Sequence, residues 1–313
     1  MTQIGIFPAS GALGTSTYTH LLSQVPNEKV TLINRYPEKV PKKYTEKGTI
    51  VRQASYESSA EDLQAAFSGV DVLFLISYPS HVHEYRTKVH TKAIDAAVKA
   101  GVKHIFYSSL GFASIGEVTT KAEVMGAHLD SEKHLKELAQ KDDGFTFTSV
   151  REGLYSESFP IYTSFLDLKN PPSKVLIPHN GSGPGVSWVK RDELGEGTAR
   201  LIASYVESPS SFGYINKIVT LTGTKSFTLA ETVAVLSRAA GKDFEIQEIS
   251  VEEYINLPQI KEYFGTEEKA TTWATAWEAI RAGETAGVTE TLKELLGREP
   301  EAFEKTIEEF VKN

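Results

Sequence analysis

The chain has 313 residues, room for one large domain or about two ordinary ones and for a well-buried core. A formal charge of −8 and a sequence pI near 5.6 lack the basic footprint of a protein that coats nucleic acid or an anionic membrane. With no cysteine in the sequence, disulfides, thiolate metal sites and a cysteine nucleophile are excluded. A hydrophobic share of 40% and a charged share of 24% belong to a globular fold rather than a disordered chain. No secretory pattern opens the sequence, and no apolar run approaches the roughly 20 residues of a membrane helix. The expectation is a cytoplasmic protein with neither membrane nor nucleic acid as partner.

Taken in order, Ile4 to Phe7, Val30 to Asn34, Thr49 to Gln53, Val72 to Ser77, His104 to Ser108 and Phe145 to Arg151 read as strands, being short runs rich in β-branched and aromatic residues. Helical period separates them at Gly11 to Ser23, Ala60 to Phe67, Val82 to Ala100 and Lys121 to Gln140. This alternation predicts an α/β fold with a doubly wound parallel sheet of Rossmann type, whose ligands bind at the carboxyl ends of the strands. After Arg151 the rhythm changes. Residues 170–185 read as an irregular loop, followed by helices at Glu193 to Val206 and Leu229 to Ala240, a returning strand at 217–222, and a helical region from Pro258 onward. The expected domains are residues 1–152 for a dinucleotide and 153–313 for a smaller, mostly helical substrate lobe.

The first crossover carries Pro8-Ala9-Ser10-Gly11-Ala12-Leu13-Gly14. Glycines there allow a tight turn and bring backbone amides close to a pyrophosphate at a helix N-terminus. The plainer alternative is a turn and a close helix contact. The second strand ends in Asn34-Arg35, with Lys39 shortly after. An acidic residue at this place suits the 2′-hydroxyl of NAD, whereas an arginine fork suits the 2′-phosphate of NADP. Asn34 and Arg35, with Lys39, therefore point to NADP, an ordinary surface arginine being the alternative for Arg35.

These residues, together with Leu75-Ile76-Ser77-Tyr78-Pro79, the segment Ala96 to His104 and Tyr107-Ser108-Ser109, resemble the NmrA-like group of atypical short-chain dehydrogenases. His128-Leu129-Asp130-Ser131-Glu132-Lys133 and the segment Arg151 to Phe159 are most similar to its NADPH-dependent quinone reductase branch. The likeness runs on through Val189 to Leu194, Thr220 to Gly223 and Leu296 to Pro300, covering nearly the whole chain. It implies NADPH as cofactor, held by Pro8, Ser10, Gly11, Ala12, Leu13, Gly14, Arg35, Lys39, Ser55, Ser77, Tyr78, Pro79, Ser108, Ser109, Gly153 and Leu154. The chain departs from the group at Pro8, which replaces the first glycine, at Ser55 in place of an aspartate near the adenine, and at Ser158 in place of an asparagine.

Where an orthodox member of this superfamily has a tyrosine acid and a lysine four residues on, the resemblance places His128 and Glu132, which share a helix face. A carboxylate beside His128 is expected to raise its pKa. Tyr155, just past the sixth strand, is expected to wall the nicotinamide, with core packing as the alternative. Catalysis is thus assigned to His128, Glu132 and Tyr155, with a purely structural i, i+4 contact as the alternative for the first two. A weak acid suits quinones and similar electron-poor conjugated acceptors such as enones, because the charge left by hydride delocalises; a ketone makes a far more basic alkoxide. The leading expectation is an NADPH-dependent quinone reductase acting on a small molecule, with no metal and with a homodimer allowed. Its rival is a catalytically silent NADP-binding redox sensor acting through a protein partner. His81, His83 and His90 lack a matching carboxylate set and are expected in solvated or capping roles.

Overall fold

The computed structural model describes residues 2–312. In chain order the elements are β1 (Ile4–Phe7), α1 (Gly11–Leu21), β2 (Val30–Asn34), α2 (Lys42–Thr45), β3 (Ile50–Gln53), α3 (Ala60–Phe67), β4 (Val72–Ile76), α4 (His83–Lys99), β5 (His104–Leu110), α5 (Glu123–Lys141), β6 (Thr146–Glu152), β7 (Lys174–Ile177), α6 (Arg191–Glu207), β8 (Lys217–Leu221), α7 (Leu229–Ala240), β9 (Glu245–Glu248), α8 (Val251–Ile255), α9 (Pro258–Phe264), α10 (Glu267–Arg281), α11 (Thr291–Leu296) and α12 (Phe303–Lys312). Seven strands form one sheet in the order β3-β2-β1-β4-β5-β6-β8. β1 pairs in parallel with β2 on one side and β4 on the other, Ile4 lying opposite both Val30 and Val72. The chain therefore winds outward in both directions from β1, and right-handed crossovers place helices on both faces. Asn216 donates its N–H to the Phe147 carbonyl, and Gly153 donates to that of Leu221. Partner numbers rise together along the two strands, so β8 lies parallel to β6.

The central strands are buried along their length, as four consecutive residues of β1 and five of β2 show. A sheet covered on both faces requires such continuous apolar runs, which is why these strands are readable in the sequence. Strand β3 at the edge is only partly covered and carries Arg52 and Gln53, the polar dressing that keeps an edge from pairing further. One core layer runs beneath Phe7, Ile33, Leu75 and Tyr107, and is closed by Leu63 and Phe67 of α3 and Ile94 of α4.

The chain forms two compact units. The first comprises residues up to Ser109, Ala127–Glu152 and Asp192–Val219; the second comprises Leu110–Gly126, Gly153–Arg191 and Thr220 onward. The passage at 152/153 is thus one of several, since nearly all of α6 returns to the first unit to carry the chain into β8. There the Asp192 carboxylate receives the Ser16 hydroxyl at 2.6 Å and faces His20 Nε2 at 3.2 Å, joining α6 to α1. The second unit is mostly helical. It also holds a feature absent from the sequence reading: the 170–185 stretch contains β7, which pairs in parallel with β9. Its tryptophans are core. Trp188 stacks on Phe303 and donates to Thr232 Oγ1 at 2.9 Å, while Trp273 packs on Tyr162 and Phe264.

Four buried groups of the first unit give its stability an opposed pH dependence. Burial drives His90 and His104 down to about 3, and burial with the Arg86 charge drives His128 well below the ordinary value of 6.5. The unfolded chain binds protons at these histidines that the fold refuses, so stability falls as pH drops below about 6.5. Glu152 acts in the other sense. Burial lifts it from 4.5 to about 8 against one hydrogen bond from Thr198, and its Oε2 is buried without a partner. The fold keeps a proton that the unfolded chain loses, so this contribution is present below about pH 4.5 and is lost as pH rises toward 8. Glu152→Gln keeps the acceptor for Thr198 and removes the titration. The gap between the melting temperatures of variant and wild type is expected to widen, in the variant's favour, as pH rises from 5 to 8; a constant gap in calorimetry refutes the assignment.

Candidate active site

A cleft of about 610 Å³ opens at the carboxyl ends of β1, β2, β3 and β4, within the range of small-molecule sites. Pro8, Ser10, Gly11, Ala12, Leu13 and Gly14 form its floor, and Arg35, Lys39, Ser55, Ser77, Tyr78 and Pro79 its walls, so twelve of the cofactor residues expected from sequence meet here. Two glycines have separable reasons. Gly11 has φ +71°, and a Cβ there would meet nothing within 4 Å, so the turn exposes backbone where space is left for a ligand. A Cβ at Gly14 would stand 2.9 Å from the Pro8 carbonyl oxygen, so its absence lets α1 pack onto the loop. Ser10 makes no side-chain cap and the first turn of α1 holds no acidic residue. Its leading amides and the positive end of its dipole are therefore left for an anion.

Asn34 is buried, accepting from Tyr36 N–H at 2.9 Å and reaching the Ala9 carbonyl at 3.4 Å. It shapes the turn after β2, leaving Arg35 to present its guanidinium 3.3 Å from Glu57 Oε2. The Lys39 ammonium lies 4.6 Å from the Tyr36 ring centroid, a cation–π contact. Glu57 also accepts from the Tyr78 hydroxyl at 2.9 Å. Burial alone would raise its carboxyl, but the hydrogen bonds from Tyr78 and Ser55 and the Arg35 charge together hold it below the ordinary carboxylate range. Tyr36, Tyr56 and Glu57, which also line the cleft, were missed in the sequence, although a carboxylate two residues past Ser55 was available as a signal.

A buried polar network backs this wall. Arg86, 7% exposed on α4, donates from Nε to the Tyr78 carbonyl at 2.7 Å and from Nη2 to His128 Nε2 at 2.6 Å. A guanidinium only donates, so His128 Nε2 accepts, and its proton sits on Nδ1, 3.1 Å from the Tyr107 hydroxyl. His90 accepts the Tyr78 N–H on Nε2 at 2.8 Å and bonds Ser131 through Nδ1 at 3.0 Å. The expected solvated or capping role of His90 is thereby corrected: it is fully buried. His83 instead pairs with Asp130 at 2.7 Å. Among the described residues, no group of three or more His, Asp and Glu is placed to hold a metal ion.

The expected coupling between His128 and Glu132 is also corrected. Both oxygens of Glu132 are taken by Arg151, Nε to Oε1 at 3.0 Å and Nη2 to Oε2 at 2.7 Å, while Ser109 and Ser149 donate to Oε1 at 2.7 and 3.0 Å. His128 is lowered rather than raised, by burial first and then by Arg86. Ser108 and Ser109 are buried on β5, away from the cleft lining, with the Ser109 hydroxyl committed to Glu132. Gly153, Leu154 and Tyr155 belong to the second unit. Gly153 and Leu154 line a small recess with Ser187 and Thr222, and Tyr155 is half-buried with the Arg191 guanidinium 4.9 Å from its ring centroid. Since Arg151 is completely buried, Glu132→Ala strands its charge and is expected to cost about 3–5 kcal/mol in urea unfolding. A loss below about 1 kcal/mol would mean that water reaches the pair.

The NmrA-like family profile matches residues 1–310. The chain is 30% identical over 297 residues to an NmrA-like family domain-containing oxidoreductase of Aspergillus flavus, spanning 93% of this chain and 89% of that one. It is 32% identical over 252 residues to quinone oxidoreductase 2 of Escherichia coli, spanning 79% and 78%. Among solved structures, the NADPH-dependent quinone oxidoreductase of E. coli complexed with NADPH superposes with a TM-score of 0.79 at 26% identity, over 98% of this chain and 99% of that one. The Citrobacter sp. triphenylmethane reductase complexed with NADP(H) gives 0.76 at 26%, over the same shares. On sequence and fold, the chain belongs to the NmrA-like family.

Proposed function

We propose that this chain, an NAD(P)H-dependent oxidoreductase of the NmrA-like family, transfers hydride from NADPH to quinones or similar electron-poor conjugated acceptors. The cleft fits the cofactor's adenosine and pyrophosphate: an uncapped helix N-terminus at Gly11, open space where a Cβ would stand, and two cations, Arg35 and Lys39, beyond the end of β2. Bound NADPH supplies the hydride; the protein supplies placement.

The single observation that carries the choice of acceptor is the state of His128. It stands where the orthodox enzymes keep their proton donor, yet it is 2% exposed, neutral, and engaged at both ring nitrogens by Arg86 and Tyr107. Protonating it would place a second cation 2.6 Å from a guanidinium. A ketone needs a proton as its alkoxide develops, whereas a quinone spreads the incoming charge over its ring and takes its proton later from solvent. We therefore assign His128 and Glu132 to positioning: His128 through Arg86 to the Tyr78 wall, and Glu132 to Ser109 and Arg151. Tyr155 is proposed as an aromatic wall for the flat acceptor. Triphenylmethane dyes, the substrate class named for the Citrobacter relative, share this electron-poor, conjugated character.

A scan of NADPH oxidation by the purified protein against quinones, enones, aldehydes and a triphenylmethane dye tests the reading. Turnover of quinones or dye with none of simple aldehydes is expected. Arg35→Ala should weaken NADPH binding about tenfold and leave NADH within about twofold. Micromolar NADPH binding with no acceptor reduced would instead favour the silent sensor.

A further inference from the structure

Glu57 is unexplained by a cleft made to attract phosphate. It lies in the loop after β3 and lines the same cleft as Arg35 and Tyr78. Its carboxylate bridges them, Oε2 to Arg35 Nη2 at 3.3 Å and Oε1 to the Tyr78 hydroxyl at 2.9 Å. Arg35 follows β2 and Tyr78 follows β4, so Glu57 spans two walls. Its own backbone is fixed, since Glu57 N–H donates to Ser55 Oγ at 3.2 Å and Ser55 N–H to Ser58 Oγ at 3.0 Å. Tyr78 is fixed in turn, its carbonyl by Arg86 and its amide by His90.

We propose that Glu57 is a specificity-determining residue that opposes the 2′-phosphate and so reduces the chain's discrimination between phosphorylated and unphosphorylated dinucleotides. The inference rests on the NADPH reading of the cleft. A phosphate that meets Arg35 must share or take over a guanidinium already paired through Nη2 with Glu57. It then sits within a few ångströms of a carboxylate, well inside the screening length of about 8 Å at physiological salt. A 2′-hydroxyl meets no such opposition, because an uncharged donor is neutral or welcome beside a carboxylate. Arg35 and Lys39 favour the phosphate while Glu57 sets a limit on that preference. Side-chain exposures of 56% for Arg35 and 40% for Glu57 leave the pair free to exchange partners, as a solvated ion pair holds its geometry only weakly.

The adenosine fragments 2′,5′-ADP and 5′-AMP isolate this end of the cleft and need no turnover. Calorimetric titration of the full chain at low salt compares wild type, Glu57→Gln and Glu57→Asp. Glu57→Gln should tighten 2′,5′-ADP about five- to tenfold and change 5′-AMP less than about twofold, and added salt should shrink the gain. Glu57→Asp keeps the charge and should keep the wild-type ratio within about twofold. An unchanged ratio in Glu57→Gln, or an equal shift of both fragments, overturns the role of Glu57 while the cofactor reading stands. Failure of wild type to bind either fragment, NADPH or NADH overturns the cofactor reading and this inference with it.

Discussion

Arg86 is the charge around which the first unit's site is organised. A guanidinium with 7% of its surface exposed is tolerable only if its donors find acceptors, because burying a charge without partners costs several kcal/mol. It finds the Tyr78 carbonyl and His128 Nε2. Each bond has a consequence beyond solvation. The first fixes the chain just past β4, where Tyr78 and Pro79 wall the cleft. The second fixes the tautomer of His128 and keeps it neutral, which passes a donor to Tyr107. His90 grips the Tyr78 amide from the other side. One residue's peptide groups are therefore held by two buried side chains of a single helix, four positions apart and sharing a face.

A second buried guanidinium, Arg151, solves the same problem differently. Its partner is a carboxylate, Glu132, at two hydrogen bonds of 3.0 and 2.7 Å, a geometry that matches the planar fork of arginine. The residual capacity of Glu132 Oε1 is filled by Ser109 and Ser149. His128 and Glu132 sit one helical turn apart yet belong to separate networks. The i, i+4 spacing set them on one face of α5, but α4 offered His128 its arginine and β6 offered Glu132 another.

How much of this was readable depended on whether the determining contact was local. Strands β1, β2 and β4 are buried along nearly their whole length, so their apolar runs announced them, and the glycines at the first crossover marked the cleft floor with Arg35 in register. β7 and β9 are four residues each and carry Lys174, Glu245, Gln247 and Glu248. Without a two-sided apolar run and with a partner far along the chain, β7 reads as part of an irregular loop and β9 gives no strand signal. His90 looked like one of three dispersed histidines because its partner is a backbone amide contributed by tertiary structure. The neutral state of His128 was misjudged for the same reason. Sequence showed a carboxylate four residues away and gave no sign that Arg151 would claim it or that Arg86 would arrive from α4.

These differences converge on how a common fold changes its chemistry. A tyrosine and lysine pair supplies a mobile proton held at low pKa by a nearby cation. Replacing the acid with a histidine beside a guanidinium inverts the electrostatics: the cation that would acidify a phenol instead forbids the histidine its proton. On the proposed reading, what remains is a floor and wall for a nucleotide, with charges that position rather than exchange protons. Such a site retains power over acceptors whose reduction is limited by alignment and loses it over those limited by protonation. Selectivity among acceptors follows, on that reading, from replacing the proton donor with a histidine that one buried arginine holds neutral.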